Sequence, residues 1–144
     1  MASSKVRVAA IAALTGVILG ITGTAALATN YSSWQHIYNF GTNDIQNRSF
    51  AGQVSGLPYG GGQVLADVAR PAGYLGQQAT LYKGGGVCAT ATAVYTSVAS
   101  NAISRSAKVN CGSGNYTGYG LSWVYTGSQN YGFPTYTSPN YTYP

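Results

Sequence analysis

Groups able to carry acid–base or nucleophilic chemistry are few in this chain: Asp44 and Asp67 are its only carboxylates, His36 its only imidazole, and Cys88 and Cys111 its only thiols. Glycoside hydrolysis needs two carboxylates flanking the scissile bond, so both aspartates would have to be catalytic, with none left to support them. Turn and strand-surface roles suit Asp44 and Asp67 better. A serine nucleophile would need His36 as base and one of the same aspartates to orient it, and the Gly-x-Ser-x-Gly elbow is missing. Gly60-Gly61-Gly62 and Gly84-Gly85-Gly86 lack the Lys-Ser/Thr and helix of a phosphate loop, and read as turns. Only His36 could join the two cysteines in a metal site, and no metal or cofactor is expected. A small hydrolase is therefore the remotest reading, and a non-enzyme the preferred one.

Aromatic side chains are the stronger signal. Of 13 tyrosines, seven fall within the last 29 residues. A tyrosine ring joins a flat apolar face to a polar tip, which suits stacking on sugars and protein contact at low entropic cost. Tyr119, Trp123 and Tyr125 sit in an alternating stretch and are expected to pack in the core. Tyr136, Tyr141 and Tyr143 lie where prolines recur in a five-residue Pro-x-Tyr-Thr-x period, and are the candidate binding residues together with Trp34 and His36. Prolines at that spacing favour an extended tail or strap, whose removal is expected to leave the fold intact.

Trp34-Gln35-His36-x-Tyr38 resembles the start of the lactococcin-like secreted bacteriocins. That resemblance covers about five residues, and implies a secreted β-sandwich acting on the envelope of competing cells by binding a wall precursor. Trp34 and His36 would then lie near its working end.

The N-terminus, ahead of all these residues, reads as an export signal. Lys5 and Arg7 precede an uncharged apolar stretch, Val8 to Ile21, and Ala26-Leu27-Ala28 follows as a signal-peptidase site. Cleavage after residue 28 would leave one small extracellular domain, touching membrane only through the signal beforehand. Past residue 28, five cations face two carboxylates, a net charge of +3. The cations are dispersed, which argues against nucleic acid and for a cell-envelope component, glycan or protein as partner. Nothing in the pattern specifies an oligomer. Four Asn-x-Ser/Thr sequons, at Asn30, Asn47, Asn115 and Asn140, are expected by chance in so Asn-, Ser- and Thr-rich a chain.

Scarce helix formers and abundant Thr, Val and Tyr point to an all-β domain. Residues 29–62 read as irregular, with one short strand at most. From 63 to 133, period-2 runs between turn signals predict strands at 63–69, 74–83, 87–98, 103–111, 116–125 and 131–136, and 134–144 is the tail. A small antiparallel sandwich or barrel of five to seven strands follows. In an oxidising compartment Cys88 and Cys111 are expected to form a disulfide. If they face one another across a hairpin, partner numbers sum to 199, placing Thr90, Val94 and Val98 on the buried face with Ile103, Ala107 and Val109.

Overall fold

The computed structural model describes residues 28–144, so the expected export signal, 1–28, lies outside the described residues but for its last residue. Ten strands follow in order: β1 (Asn30–Tyr31), β2 (Gln35–Phe40), β3 (Asn43–Val54), β4 (Leu57–Arg70), β5 (Leu75–Lys83), β6 (Gly86–Tyr95), β7 (Ser100–Lys108), β8 (Gly114–Tyr125), β9 (Asn130–Pro134) and β10 (Tyr141–Tyr143). They form two five-stranded antiparallel sheets. In the first, β1 and β2 pair along one side of β3, and β4 and β7 follow; in the second, β9 and β10 pair along β8, and β5 and β6 follow. The inner faces pack on each other, joining Ile45 and Val64 of the first sheet to Leu75 and Val124 of the second. The all-β class and the two-sheet architecture agree with the sequence pattern.

Turn chemistry is legible where two successive residues take positive φ. Gly84 (φ 55°) and Gly85 (φ 85°) join the paired residues Lys83 and Gly86. That is the two-residue loop whose twist matches the flanking strands. Gly60-Gly61-Gly62, also read as a turn, is instead the buried centre of β4. A Cβ on Gly60 would sit 2.9 Å from the Cα of Gly118, and one on Gly62 would sit 3.0 Å from that of Gly120. The sheets thus touch backbone to backbone here, well inside the ~10 Å spacing that side chains normally impose.

This glycine seam divides the apolar interior. Ile37, Ile45, Val64, Ala66, Leu75 and Val124 form one cluster, and Ala79, Leu81, Ala107 and Tyr116 the other. A fully buried polar group is set beside the seam: Asn47 Nδ2 donates to Ser122 Oγ (3.0 Å), and Ser122 Oγ donates to Gln77 Oε1 (2.8 Å). Each sheet contributes, so the bonds fix how one sheet sits on the other. Asn47, with its amide nitrogen spent in this way, is closed to modification in the folded chain.

Three expectations are corrected. Residues 29–62 are not irregular: they supply β1, β2, β3 and the start of β4, which runs straight across residues 62 and 63. Cys88 and Cys111 are disulfide-bonded as expected, but not across a hairpin. β6 pairs β5 while β7 pairs β4, so the cystine links the edge strand of one sheet to the segment that follows the edge strand of the other. A disulfide requires only that two Cα atoms be near, here 6.3 Å apart, and a facing sheet meets that requirement as well as a ladder does. Val98, assigned to the buried face, is 68% exposed, whereas Ala89 and Ala91 pack against the interior. Third, Tyr119, Trp123 and Tyr125 lie on the outer face of β8, because Tyr116, Gly118, Gly120, Ser122 and Val124 take the inner one. At the seam only glycine fits, so the large side chains must point out.

By chain entropy a cystine closing a loop of this size contributes about 3 kcal/mol. Cys88→Ser/Cys111→Ser is expected to lower the melting temperature by roughly 10 °C or more. An unchanged melt would show that the ladders alone hold that side of the sandwich.

Candidate binding face

The outer face of the first sheet collects the polar and aromatic residues of interest through its register. Asn39 pairs Asp44, His36 pairs Gln46, and Tyr31 pairs Phe50 along one side of β3; Arg48 pairs Gln63 along the other. On β7, Ser104 pairs Gln63 and Ala102 pairs Leu65.

At one end the three acid–base residues meet. His36 Nδ1 is bonded to Asp44 Oδ1, Gln46 Nε2 donates to Asp44 Oδ2, and the Asp44 amide donates to Asp67 Oδ2 at 3.1 Å. The hydrogen bond from Gln46, seconded by His36, holds the Asp44 carboxyl below its ordinary range against the opposing effect of burial. The His36 side chain is 55% exposed. Among the described residues its ring is hydrogen-bonded to Asp44 and to no hydroxyl.

Beside this cluster lies a groove of about 310 Å³, lined by Trp34, Gln63, Leu65, Ala102, Ile103 and Ser104. Its relief comes from pairing large with small: Gln63 and Leu65 stand on β4 opposite Ser104 and Ala102 on β7, leaving a trough between the strands. Trp34, in the link between β1 and β2, forms the wall. Next to it the Arg48 guanidinium lies over two rings, with Cζ 4.3 Å from the Trp34 centroid and 4.0 Å from that of Tyr31. Arg48 Nε donates to Gln63 Oε1 at 2.9 Å. These contacts fix Trp34 before any ligand arrives, which lowers the cost of binding. The lining offers an aromatic ring, apolar floor, an amide and a hydroxyl, and no charged group.

The tail is placed differently. After β9 it runs along β8 as a strap: Thr135 N–H donates to Gly120 O and Gly120 N–H to Thr135 Oγ1, both at 2.9 Å. Ser138 N–H donates to Gly118 O (2.9 Å) and accepts at Oγ from Gly118 N–H (2.8 Å). Each hydroxyl stands in for a backbone acceptor, so the exchange of two bonds that a ladder would give is completed by a single strap residue. On the other side Ser49 Oγ, from β3, donates to Tyr136 O. Tyr141 Oη donates to Gln53 Oε1 and Tyr143 Oη to Gly56 O, both at 2.8 Å. Tyr143 also packs edge-on against buried Tyr116. Tyr141 and Tyr143 therefore tie the strap to the hairpin between β3 and β4, and Tyr136, 57% exposed, is the one of the three left largely open to solvent.

Of the five binding residues read from sequence, Trp34 alone lines the groove, His36 neighbours it in the acid–base cluster, and the three tyrosines belong to the strap. Arg48, Gln63, Leu65 and Ser104 were not singled out. The outward alternation of Asp44, Gln46 and Arg48 was available as a signal, but an inner set containing Asn47 and Ser49 hides it from any hydrophobic pattern. The chain matches no family model, no curated protein and no solved structure in the comparisons made.

Proposed function

We propose that this is a secreted, non-enzymatic β-domain that binds a glycan of a cell surface or envelope in the groove beside Trp34. One observation carries the reading: a pre-positioned indole stands over a narrow apolar trough flanked by the Gln63 amide and the Ser104 hydroxyl. Sugar rings present apolar C–H faces rimmed by hydroxyls, and an aromatic wall with uncharged hydrogen-bonding groups matches both. Export is supported by the N-terminal pattern and is compatible with the disulfide. The fixed tyrosines of the strap move the proposed contact surface from the C-terminus to the first sheet, with Tyr136 a minor contributor.

Affinity electrophoresis through a panel of soluble cell-wall polysaccharides tests it. Trp34→Ala is expected to lose at least about tenfold in affinity for whichever glycan retards the wild type, or roughly 1.4 kcal/mol, while Tyr136→Ala changes it little. Retardation that survives Trp34→Ala unaltered would move the site elsewhere. An antibacterial role would use the same groove, since a wall precursor also carries sugars; inhibition of bacterial growth by the purified domain would favour it.

A further inference from the structure

The Arg48 guanidinium has more hydrogen-bonding capacity than the fold uses. Its Nε is spent on Gln63, but Nη1 and Nη2 donate to no group among the described residues. No carboxylate balances its charge either, the one ion pair among the described residues being His36 with Asp44. Its Cζ lies over the rings of both Tyr31 and Trp34. A guanidinium is planar, so the remaining donors act at its edge, in the fork geometry that suits a carboxylate. Arg48 also touches two groove-lining residues, Trp34 by stacking and Gln63 by its hydrogen bond.

Charge is graded along the same face. Lys108, paired with Tyr59, lies toward the Arg48 end of the β4–β7 ladder. At the other end Asp67 follows Leu65 by two residues, about 6.6 Å along the strand, and meets the Asp44 cluster. A polyanion running through the trough would be repelled at that end. A ligand with one negative charge at one terminus would meet the guanidinium and keep its neutral remainder over Leu65.

We infer that the groove recognises an oligosaccharide ending in an acidic sugar, with the sugar carboxylate held by Arg48 and the adjoining ring on Trp34. This rests on the glycan reading above and adds the ligand's charge and orientation to it. The purely structural role open to Arg48, bracing the link between β1 and β2 by stacking, would leave no preference between acidic and neutral sugars.

The test titrates the full mature domain at low salt with paired oligosaccharides, identical except for a terminal glucuronate or glucose, and with polygalacturonate. Wild type is expected to bind the acidic member at least about tenfold more tightly, with the preference shrinking as salt is raised. Arg48→Met, which keeps the apolar stem, should bring the ratio close to one. Gln63→Glu should do the same by neutralising the guanidinium in place, and it covers the case in which Arg48→Met does not fold. Equal binding of both members by the wild type would overturn the acidic assignment and leave the glycan reading standing. An acidic preference that survives both substitutions would remove Arg48 from it, and tighter binding of polygalacturonate than of the terminal glucuronate would overturn the single-charge orientation. Binding of no member by folded protein would overturn both readings.

Discussion

Gly118→Ala is expected to destabilise the domain severely. The added methyl carbon would lie 1.7 Å from the carbonyl oxygen of Phe50 and 2.7 Å from the amide nitrogen of Gly61. Both are backbone atoms of central strands in the opposite sheet, with no rotamer through which to escape. Ordinary overpacking costs about 1–3 kcal/mol because side chains give way. Here the sheets themselves must part, which would also pull Asn47 from Ser122. A loss above roughly 4 kcal/mol follows, a large fraction of the 5–15 kcal/mol typical of a domain. Gly86→Ala is the matched control, since its Cβ would meet nothing closer than Lys83 O at 3.6 Å; its effect should lie within about 0.5 kcal/mol. Urea titrations followed by circular dichroism would decide the matter, and a Gly118→Ala midpoint close to wild type would mean that the seam is loose.

Stopping the chain after Phe133 should be nearly as damaging, contrary to what the tail's composition suggests. The truncation removes four hydrogen bonds to Gly118 and Gly120, the Tyr143–Tyr116 contact and the partners of Ser49 and Gln53. At about 1 kcal/mol net for each hydrogen bond, with two formerly buried β8 amides left to find water, the total is on the order of 4 kcal/mol or more. The melting temperature should fall by more than about 15 °C, and the Gly118 and Gly120 amides should lose their protection from hydrogen exchange. Thr135→Val, which keeps the shape and removes the acceptor, should reproduce about 1–2 kcal/mol of it. A truncated domain that melts like the full chain would show the strap to be dispensable. A binding test by tail deletion would therefore report on folding first, which is why the Trp34 and Arg48 substitutions are the cleaner probes.

Local information went far in this sequence, and its failures share one cause. Strand runs after residue 63, the Gly84-Gly85 turn and the identity of the disulfide partners were all readable, because each depends on residues a few positions apart or on a count of two cysteines. β3 was hidden because its inner positions are Ile45, Asn47, Ser49 and Ala51, half of them polar. They are acceptable inside only because Ser122, Phe133 and Tyr136, far along the chain, supply partners. Gly60-Gly61-Gly62 has turn composition, and its true role depends on glycines at 118 and 120. Alternation in β8 separated its two faces correctly, yet hydrophobicity assigned them the wrong way round, since lack of space at the seam outweighed burial of the rings. The candidate site follows the same rule: Trp34 was visible as an aromatic residue, whereas Arg48, Gln63 and Ser104 become neighbours only through the β3–β4–β7 register.

The strap also has a consequence for the order in which events occur. Asn30 Nδ2 of β1 donates to Asn140 O, and Ser49 bonds to Tyr136, so the strands that are synthesised first are closed by residues that follow much later in the chain. The two ends of the domain meet across separations of 110 and 87 residues. Long-range contacts of this kind make folding late and slow. Under the export proposed above, a chain whose first strands wait for residues 136 and 140 stays unfolded, and so threadable, until those residues are available.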